Sequence, residues 1–357
     1  MHIVRRTKLS FIGSLLIRII FIILALIVSA LVIYSIVKTN PLKVYVSMIN
    51  GAFGTPKRTW VTIRDLMMLT CLAVALAPAY TLKFWNIGAE GQMLMGCIGA
   101  SFAMINFKDL PFPVLIVIMV LFALILGGLW GFIPSIFKVK WNINETIFTL
   151  MMNYIAIKFV AFSVAKWENP PGSNTVGIIN FTTHNGWIPN LFKQGYNSDF
   201  AILSIIVILI CIIVFIYLRY TKHGFEIAVI GDSVRTAKYS GIKVNLVLIR
   251  TMIISGALCG LAGFLEVAAV SHTITTGSAA GRGFTAIIVA WLAKMNPFVM
   301  IIISAIITIL DRGAVEIASS FGLNEHVSEI VTGIILFFIL ASEFFIRYKI
   351  VRGGKND

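Results

Sequence analysis

Apolar stretches long enough to cross a lipid bilayer follow one another along almost all of the 357 residues. A membrane-spanning helix needs about 20 apolar residues, because the hydrocarbon layer is about 30 Å thick and a helix rises about 1.5 Å per residue. The composition agrees, with 59% hydrophobic and 12% charged residues against about 45–50% and about 25% in soluble domains. The runs lie near 11–37, 66–82, 93–107, 112–137, 145–165, 200–219, 247–270, 284–310 and 327–346.

These runs predict an all-α, polytopic transmembrane bundle of about ten helices, treated as one domain over 1–357. The first run is too long for a cleavable signal sequence and lacks a clear cleavage site, so 10–37 is interpreted as a retained signal anchor. The run at 284–310 contains Lys294, Asn296 and Pro297. Since proline removes a donor and disfavours helix before it, two short helices are expected there.

The basic residues predict an orientation. Short basic connections occur at the N-terminal tail, at 138–140, at 219–246 and at the C-terminal tail. The positive-inside rule places all of them, with both termini, in the cytoplasm. The connections 38–65, 166–199 and 311–326 then face outward, although 38–65 carries four basic residues that oppose this assignment.

The net charge of +14 would suggest a nucleic-acid partner in a soluble protein. Here the basic residues flank apolar runs, where they meet anionic lipid headgroups, so we expect membrane lipid and no nucleic acid as a partner. The sequence has no phosphate-binding GxxxxGK[ST] motif, no HExxH motif and no Cys/His cluster. We therefore expect no catalytic residue, metal site or cofactor in this chain, and no enzyme activity of its own.

A polar stretch from Trp85 to Met93 interrupts the membrane-like sequence with glycines, an amide pair and Glu90. Non-helical backbone at membrane depth persists only where protein or a water-filled cavity satisfies its polar groups. A broken helix lining a transport path is one interpretation. A tight turn at the membrane face, with Glu90 as a capping residue, is the other.

Further polar positions have ordinary explanations as well. Asn144 and Glu145 are typical of a helix start, whereas Asn153, two turns further on, needs a partner on another helix or in a cavity. Gly127 with Gly131, and Gly256 with Gly260, predict tight helix crossings. Glu266 near the end of its apolar run is placed at the outer interface, with a role in the path as the second option.

On the basic side, the stretch from Thr221 to Asn245 is divided by Gly224, Gly231 and Gly241. Between the last two, 234–239 can form a short exposed helix. Such a helix, held between two membrane helices, is a suitable lever for force from a partner. A solvated basic loop is the alternative.

Four blocks resemble the permeases of the branched-chain amino acid, ribose and nucleoside ABC (ATP-binding cassette) importers, and look closest to the nucleoside branch. They are FWNIGAEGQM at 84–93, NETIFTLMMNYIA at 144–156, HGFEIAVIGDSVRTAKYSGI at 223–242 with SGALCGLAG at 255–263, and, more loosely, GRGFTAIIVAWLAKMNP at 281–297. Their order and spacing cover most of the chain.

The resemblance implies roles for two groups of residues. In the loop that docks on the ATP-binding subunit it places Gly231, Ala237, Tyr239, Gly241 and Ile242. Near the translocation path it places the break residues Asn86, Gly88, Glu90, Gly91 and Gln92. The residues alone add Asn153 as a further candidate for the path. With the nucleoside cargo that the resemblance implies, Trp85 or Trp291 would offer a stacking surface for a base.

This chain departs from the family pattern at several positions. The pattern has Arg where this chain has Ala228 and Asn where it has Ser233, and in the fourth block Thr285–Ala286, Ala293 and Met295 replace Asp-Gly, Gly and Asn. These departures leave the predicted fold and docking loop unchanged, and they leave the cargo open.

The resemblance implies a permease of the bacterial cytoplasmic membrane that moves nucleosides. Its expected partners are an ATP-binding subunit, a second, similar permease and a substrate-binding lipoprotein. Ribose or another simple sugar is the alternative cargo. A different class, an ion-coupled transporter with Glu90 or Glu266 as proton site, is also considered.

Overall fold

The computed structural model describes residues 2–5, 10–37, 41–192, 199–322 and 325–351. Within these ranges the chain is almost entirely helical. The α-helices are α1 (Phe11–Val37), α2 (Pro41–Phe53), α3 (Pro56–Thr81), α4 (Ala89–Asn106), α5 (Phe112–Trp141), α6 (Glu145–Trp167), α7 (Ala201–Tyr220), α8 (Lys222–Asp232), α9 (Val234–Tyr239), α10 (Val244–Leu265), α11 (Arg282–Leu292), α12 (Pro297–Ser320) and α13 (Glu325–Arg347).

Two short strands and a π-helical segment complete the fold. Strand β1 (His2–Arg5) pairs antiparallel with β2 (Tyr348–Val351), with His2 opposite Val351. The π-helical segment Glu266–Ser271 continues α10. The expected all-α class therefore holds apart from this one strand pair.

Seven helices in the described ranges are long and apolar enough to cross a membrane. They cover Leu16–Ser35, Pro56–Thr81, Phe112–Trp141, Glu145–Trp167, Ala201–Tyr220, Val244–Ser271 and Pro297–Ser320. Shorter apolar helices occur at Arg282–Leu292 and Gly333–Ile346. The expected number of about ten membrane helices thus compares with seven full-length candidates among thirteen α-helices in the described part of the chain.

Two expected connections are largely helical. The segment 38–65 contains α2 and the start of α3, and 311–326 contains the end of α12. The run at 284–310 is broken as expected, by a turn between α11 and α12, but α12 is a long helix of 24 residues. The stretch between α6 and α7 has no regular structure over its described residues, as predicted for the loop 166–199.

The chain divides into two compact units, Met1–Thr62 with Ala305–Asp357, and Ile63–Ser304. The first unit has an apolar core to which α1, α2, α12 and α13 contribute, including Ile33, Met48, Ile317 and Ile335. Within a bilayer such side chains stabilise the bundle through close packing, because lipid tails are as apolar as they are.

In the second unit, α4, α5 and α10 cross at very short distances. A Cβ on Gly127 would lie 2.5 Å from the carbonyl oxygen of Gly256, and one on Gly96 would lie 2.2 Å from that of Gly260. Only glycine permits backbones to approach this closely. The two predicted GxxxG pairs therefore pack against each other, in one tight crossing of α5 with α10.

The two ends of this unit differ in what they contain. At one end, Gly231 in α8 lies against the carbonyl oxygen of Thr81, the last residue of α3. At the other end, Asn180 and Asn185 of the loop after α6 donate to the carbonyl groups of Met104 and Lys108. The break between α3 and α4 thus lies at the same end as α8 and α9.

Candidate functional site

The break between α3 and α4 is built around a buried pair of amide side chains. Asn86 and Gln92 exchange two hydrogen bonds, with N–O distances of 3.1 and 3.3 Å. Asn86 Oδ1 also accepts from the backbone N–H of Gly88 at 2.9 Å, and its carbonyl accepts from the hydroxyl of Tyr80. Both amides are almost fully buried, so protein groups replace water for this irregular backbone.

Helix α6 clamps the same break from its other side. Asn153 accepts a hydrogen bond from the backbone N–H of Gly91 at 2.8 Å and donates one to the carbonyl of Ile87 at 2.9 Å. Thr149 accepts from the N–H of Ile87. Asn153 therefore makes the interhelical hydrogen bonds that its position in an apolar helix required.

Asn144 and Glu145 at the start of α6 have the structural roles that their types indicated. The side chain of Asn144 accepts from the N–H groups of Thr146 and Ile147. Glu145 forms an ion pair of 2.7 Å with Lys138 at the end of α5. These two side chains thus fix the connection between α5 and α6.

Glu90 in the first turn of α4 reaches the start of α11. Its Oε1 accepts from the backbone N–H of Gly281 at 3.1 Å. Its Oε2 is buried without a hydrogen-bond partner among the described residues. A Cβ on Gly283 would lie 2.8 Å from the Cβ of Glu90, so the two helix starts are in direct contact.

Charged side chains next to this contact form a connected network that the sequence did not indicate. Arg282, the first residue of α11, donates from Nη1 to Glu266 at 2.8 Å and from Nη2 to Asp65 at 3.3 Å. Asp65 also pairs with Arg64 at 2.9 Å. Glu266, only 5% exposed, is a member of this buried network. A carboxylate in an apolar run signals a buried cation nearby, but no spacing links Asp65 to a residue 217 positions later.

The two candidate stacking residues lie side by side at the far end of α11. The ring centroids of Trp85 and Trp291 are 5.0 Å apart and their planes are inclined by 39°. Tyr80 contacts Trp85 edge to face. Both indoles remain about 40% exposed, so they present aromatic surface that the described residues do not cover.

The segment that follows α7 forms two short helices, and the second has the predicted bounds, Val234–Tyr239. Thr221 caps α8 by accepting from the N–H of Gly224, and Ser233 caps α9 by accepting from that of Thr236. Burial lowers the pKa of His223, whose ring is hydrogen-bonded to the hydroxyl of Tyr217. The neutral ring is therefore favoured at pH 7 at the junction of α7 and α8.

Helix α9 buries one side chain and exposes the other five. Ala237 is completely buried, whereas Tyr239 is 86% exposed. Ala237 belongs to an apolar cluster that also contains Phe84 from the break, Ile227 from α8 and Met252 from α10. Helix α9 thus packs against the same apolar core as the break between α3 and α4.

The remaining loop residues fix the path of the chain. A Cβ on Gly231 would lie 2.1 Å from the carbonyl oxygen of Thr81, so α8 can approach α3 only with glycine there. Gly241 has φ +74°, a conformation that favours glycine. The N–H of Ile242 closes the turn by donating to the carbonyl of Ala237. An open cleft of about 400 Å³ lies beside this turn and is lined by residues that include Gly241, Ile242, Phe225 and Arg250.

The predicted site residues therefore form two groups within the second unit. The break residues, Asn153 and Trp291 lie around α4 and α11, and the five loop residues lie on α8, α9 and the turn after them. In the described part of the chain no group of three or more His, Cys, Asp or Glu side chains could hold a metal ion.

Comparison with known proteins decides the family. A family model described as "Branched-chain amino acid transport system / permease component" matches residues 61–340. The chain belongs to this permease family. With its seven candidate spans, this permease is a multi-pass membrane protein.

Individual relatives align over most of the permease. The guanosine ABC transporter permease protein NupP of Bacillus subtilis is 30% identical, over 87% of this chain and 90% of its own length. The nucleoside ABC transporter permease protein NupB of Lactococcus lactis is 27% identical over 84% of each. The glucose ABC transporter permease protein TsgB13 of Haloferax volcanii is 25% identical over 86% of this chain and 81% of its own. No solved structure matches.

Proposed function

We propose that this permease is a subunit of an ATP-driven importer and that it moves nucleosides across the bacterial cytoplasmic membrane. The observation that supports this best is the way α9 packs on the rest of the protein. An almost fully exposed Tyr239 and a fully buried Ala237 lie on one short helix, and the buried side shares its core with Phe84 of the break. A push on the exposed side would therefore reach the break directly.

ATP would be hydrolysed by a separate subunit, since the sequence has no phosphate-binding loop motif. That subunit would contact α9 and the cleft beside it, with Gly231, Ala237, Tyr239, Gly241 and Ile242 shaping the docking surface. Closure of the ATP-binding subunits would then move α8 and α9 against the end of α3. The break would be the part of the path that responds.

The orientation with both termini in the cytoplasm has support in the first unit. Strands β1 and β2 bring 2–5 and 348–351 together, which requires both to lie on the same side of a membrane. If α4, α13 and α11 with the stretch before it also cross, in addition to the seven candidate spans, the chain would pass the membrane ten times, an even number. The basic loop from α8 to the start of α10 would then face the cytoplasm.

The proposed assembly contains two permeases, two ATP-binding subunits and an external substrate-binding lipoprotein. The path would run between the permeases, with Trp85, Asn86, Gly88, Glu90, Gly91, Gln92, Asn153 and Trp291 near it. These residues fall into two sets according to whether their side chains are hydrogen-bonded within the protein. The amides hold the break together, and the two tryptophans offer the exposed surface.

Nucleosides are the favoured cargo because two long alignments join this chain to permeases named for guanosine and for nucleosides. The tryptophan pair suits a planar base, since aromatic rings stack on bases with about 1–3 kcal/mol per base. A simple sugar is the second candidate. It is favoured by the alignment with a glucose permease.

The test is uptake by the complete complex in proteoliposomes, with radiolabelled guanosine, uridine, ribose and glucose. We expect ATP-dependent uptake of a nucleoside that unlabelled ribose and glucose do not compete with. Sugar uptake that nucleosides leave unchanged would reject the nucleoside assignment. Uptake that persists without the ATP-binding subunit and collapses with the proton gradient would instead identify an ion-coupled transporter.

A further inference from the structure

Two ion pairs and one backbone hydrogen bond attach the start of α11 to three other elements. Arg282 bridges Glu266, in the π-helical segment, and Asp65, in α3. The backbone N–H of Gly281 is bonded to Glu90 of α4. A short helix of 11 residues thus has its first turn fixed from three sides.

The chemistry of Arg282 makes this attachment specific. A guanidinium offers separate N–H groups in a planar fork, so that Nη1 and Nη2 can hold two carboxylates in fixed directions, whereas the lysine ammonium is a point charge on a flexible stem. Glu266 is almost fully buried. It also begins the π-helical segment, and π-helical turns are frequent at functional sites.

The opposite end of α11 carries Trp291, which lies against Trp85. A helix of 11 residues is about 16 Å long, so a small rotation at the first turn displaces the last turn by an ångström or more. The position of Trp291 therefore depends on how the first turn of α11 is held. The turn after α11 places Lys294 and Met295 at φ +50° and +60°.

We infer that Arg282 is a positioning residue for transport: by bridging Glu266 and Asp65 it sets the position of α11 and with it the spacing of the Trp85–Trp291 pair. This role requires no contact between Arg282 and the cargo. The inference rests on the proposed function, because it assigns the tryptophan pair to the path of a nucleoside.

The first test compares R282K with R64K in the assembled complex, as uptake per inserted complex. Both replace an arginine bound to Asp65 by lysine, but only Arg282 belongs to α11. We expect R282K to lower nucleoside uptake about tenfold, because one ammonium cannot reproduce the fork. R64K should retain uptake within about twofold, since Arg64 stays outside α11.

The second test separates positioning from a general structural role. In R282Q the buried Glu266 loses its cation, and destabilisation follows. The double variant R282Q/E266Q removes both charges, so we expect its thermal stability to recover while uptake stays low. A double variant with restored uptake would assign the pair a purely structural role.

A distance readout completes the test. A W85C/W291C variant of the complex is treated with a short bifunctional thiol reagent, while the four native cysteines are buried. Adding R282K should reduce the yield of the cross-linked product at least about threefold, in line with the lost bridge between the two carboxylates. Equal yields and equal uptake for R282K and the parent protein would overturn the inference. Absence of nucleoside uptake in the unmodified complex would reject the proposed function instead, and an unchanged cross-link in R282K would still count against the positioning role.

Discussion

The break between α3 and α4 and the loop from α8 to the start of α10 are both glycine-containing interruptions, yet they satisfy opposite requirements. In the break, buried amides bind the irregular backbone, and the side chains of Asn86 and Gln92 are hidden. In the loop, short capped helices satisfy their own backbone, and Tyr239 is exposed. A buried irregular segment needs internal partners, whereas an exposed one is free to offer its side chains to another protein.

The break and the loop pack on the same apolar core. Phe84 of the break and Ala237 of the loop belong to one apolar cluster. Protein interiors are packed at the density of organic crystals, so a displacement on one side of such a cluster is transmitted to the other. We therefore expect substitutions in the break to lower stability, and substitutions on the exposed loop surface to lower coupling without lowering stability.

The largest effect on stability is expected for N153A. It leaves the buried N–H of Gly91 and the partly buried carbonyl of Ile87 without their partner. An unsatisfied buried group costs about 1–3 kcal/mol, so the two lost hydrogen bonds should together cost about 2–6 kcal/mol of stability. Thermal unfolding in detergent measures this. The matched control is N106A, whose amide binds only at an exposed helix end. A melting temperature equal to that of the control would show that the break does not need its clamp.

Sequence reasoning found the break because its polar residues stand out against apolar runs. It also found the bounds of α9, because Gly231 and Gly241 delimit the helix. It did not predict that α3 begins at Pro56, because Lys57, Arg58 and Arg64 resemble a loop. Within the fold, Arg58 pairs with Glu316, and Arg64 pairs with Asp65. The pair of Arg58 with Glu316 joins residues far apart in sequence, which one sequence does not reveal, whereas Arg64 and Asp65 are sequence neighbours.

The bridge made by Arg282 was missed for the same reason. Glu266 alone indicated a polar position in an apolar helix. Its partner Arg282 lies in α11, and the second carboxylate that Arg282 binds, Asp65, lies in α3. The placement of Trp85 beside Trp291 was equally inaccessible, since it depends on how α11 packs against the break. Local signals such as caps and glycines were therefore predictable. Contacts between distant elements were not.

An intermediate effect is expected from paired glycine substitutions in the loop. G231A places a methyl group 2.1 Å from the carbonyl oxygen of Thr81, and overpacking of this kind costs about 1–3 kcal/mol. G241A meets no atom within 4 Å but keeps an alanine in the left-handed region, at a cost of about 1–2 kcal/mol.

Function separates these two glycine variants better than stability does. G231A shifts α8 away from α3, so uptake per molecule of ATP hydrolysed should fall well below that of G241A, which leaves the contact between α8 and α3 intact. Uptake and hydrolysis measured on the same proteoliposomes give the ratio. Equal ratios in the two variants would mean that the contact between α8 and α3 does not transmit force.

The smallest effect on stability, and the sharpest on function, is expected for Y239E. Its ring is 86% exposed, so the melting temperature should change by less than the equivalent of about 0.5 kcal/mol. ATP hydrolysis by the partner should continue while uptake falls severalfold, because the charge lies at the proposed docking surface. A237D is the informative contrast: a carboxylate placed at a fully buried position disrupts the cluster, so uptake and stability should fall together. Normal uptake by Y239E would place the docking surface elsewhere. Loss of stability in Y239E equal to that in A237D would remove the distinction between the exposed and buried sides of α9, and with it the reason to regard this helix as a lever.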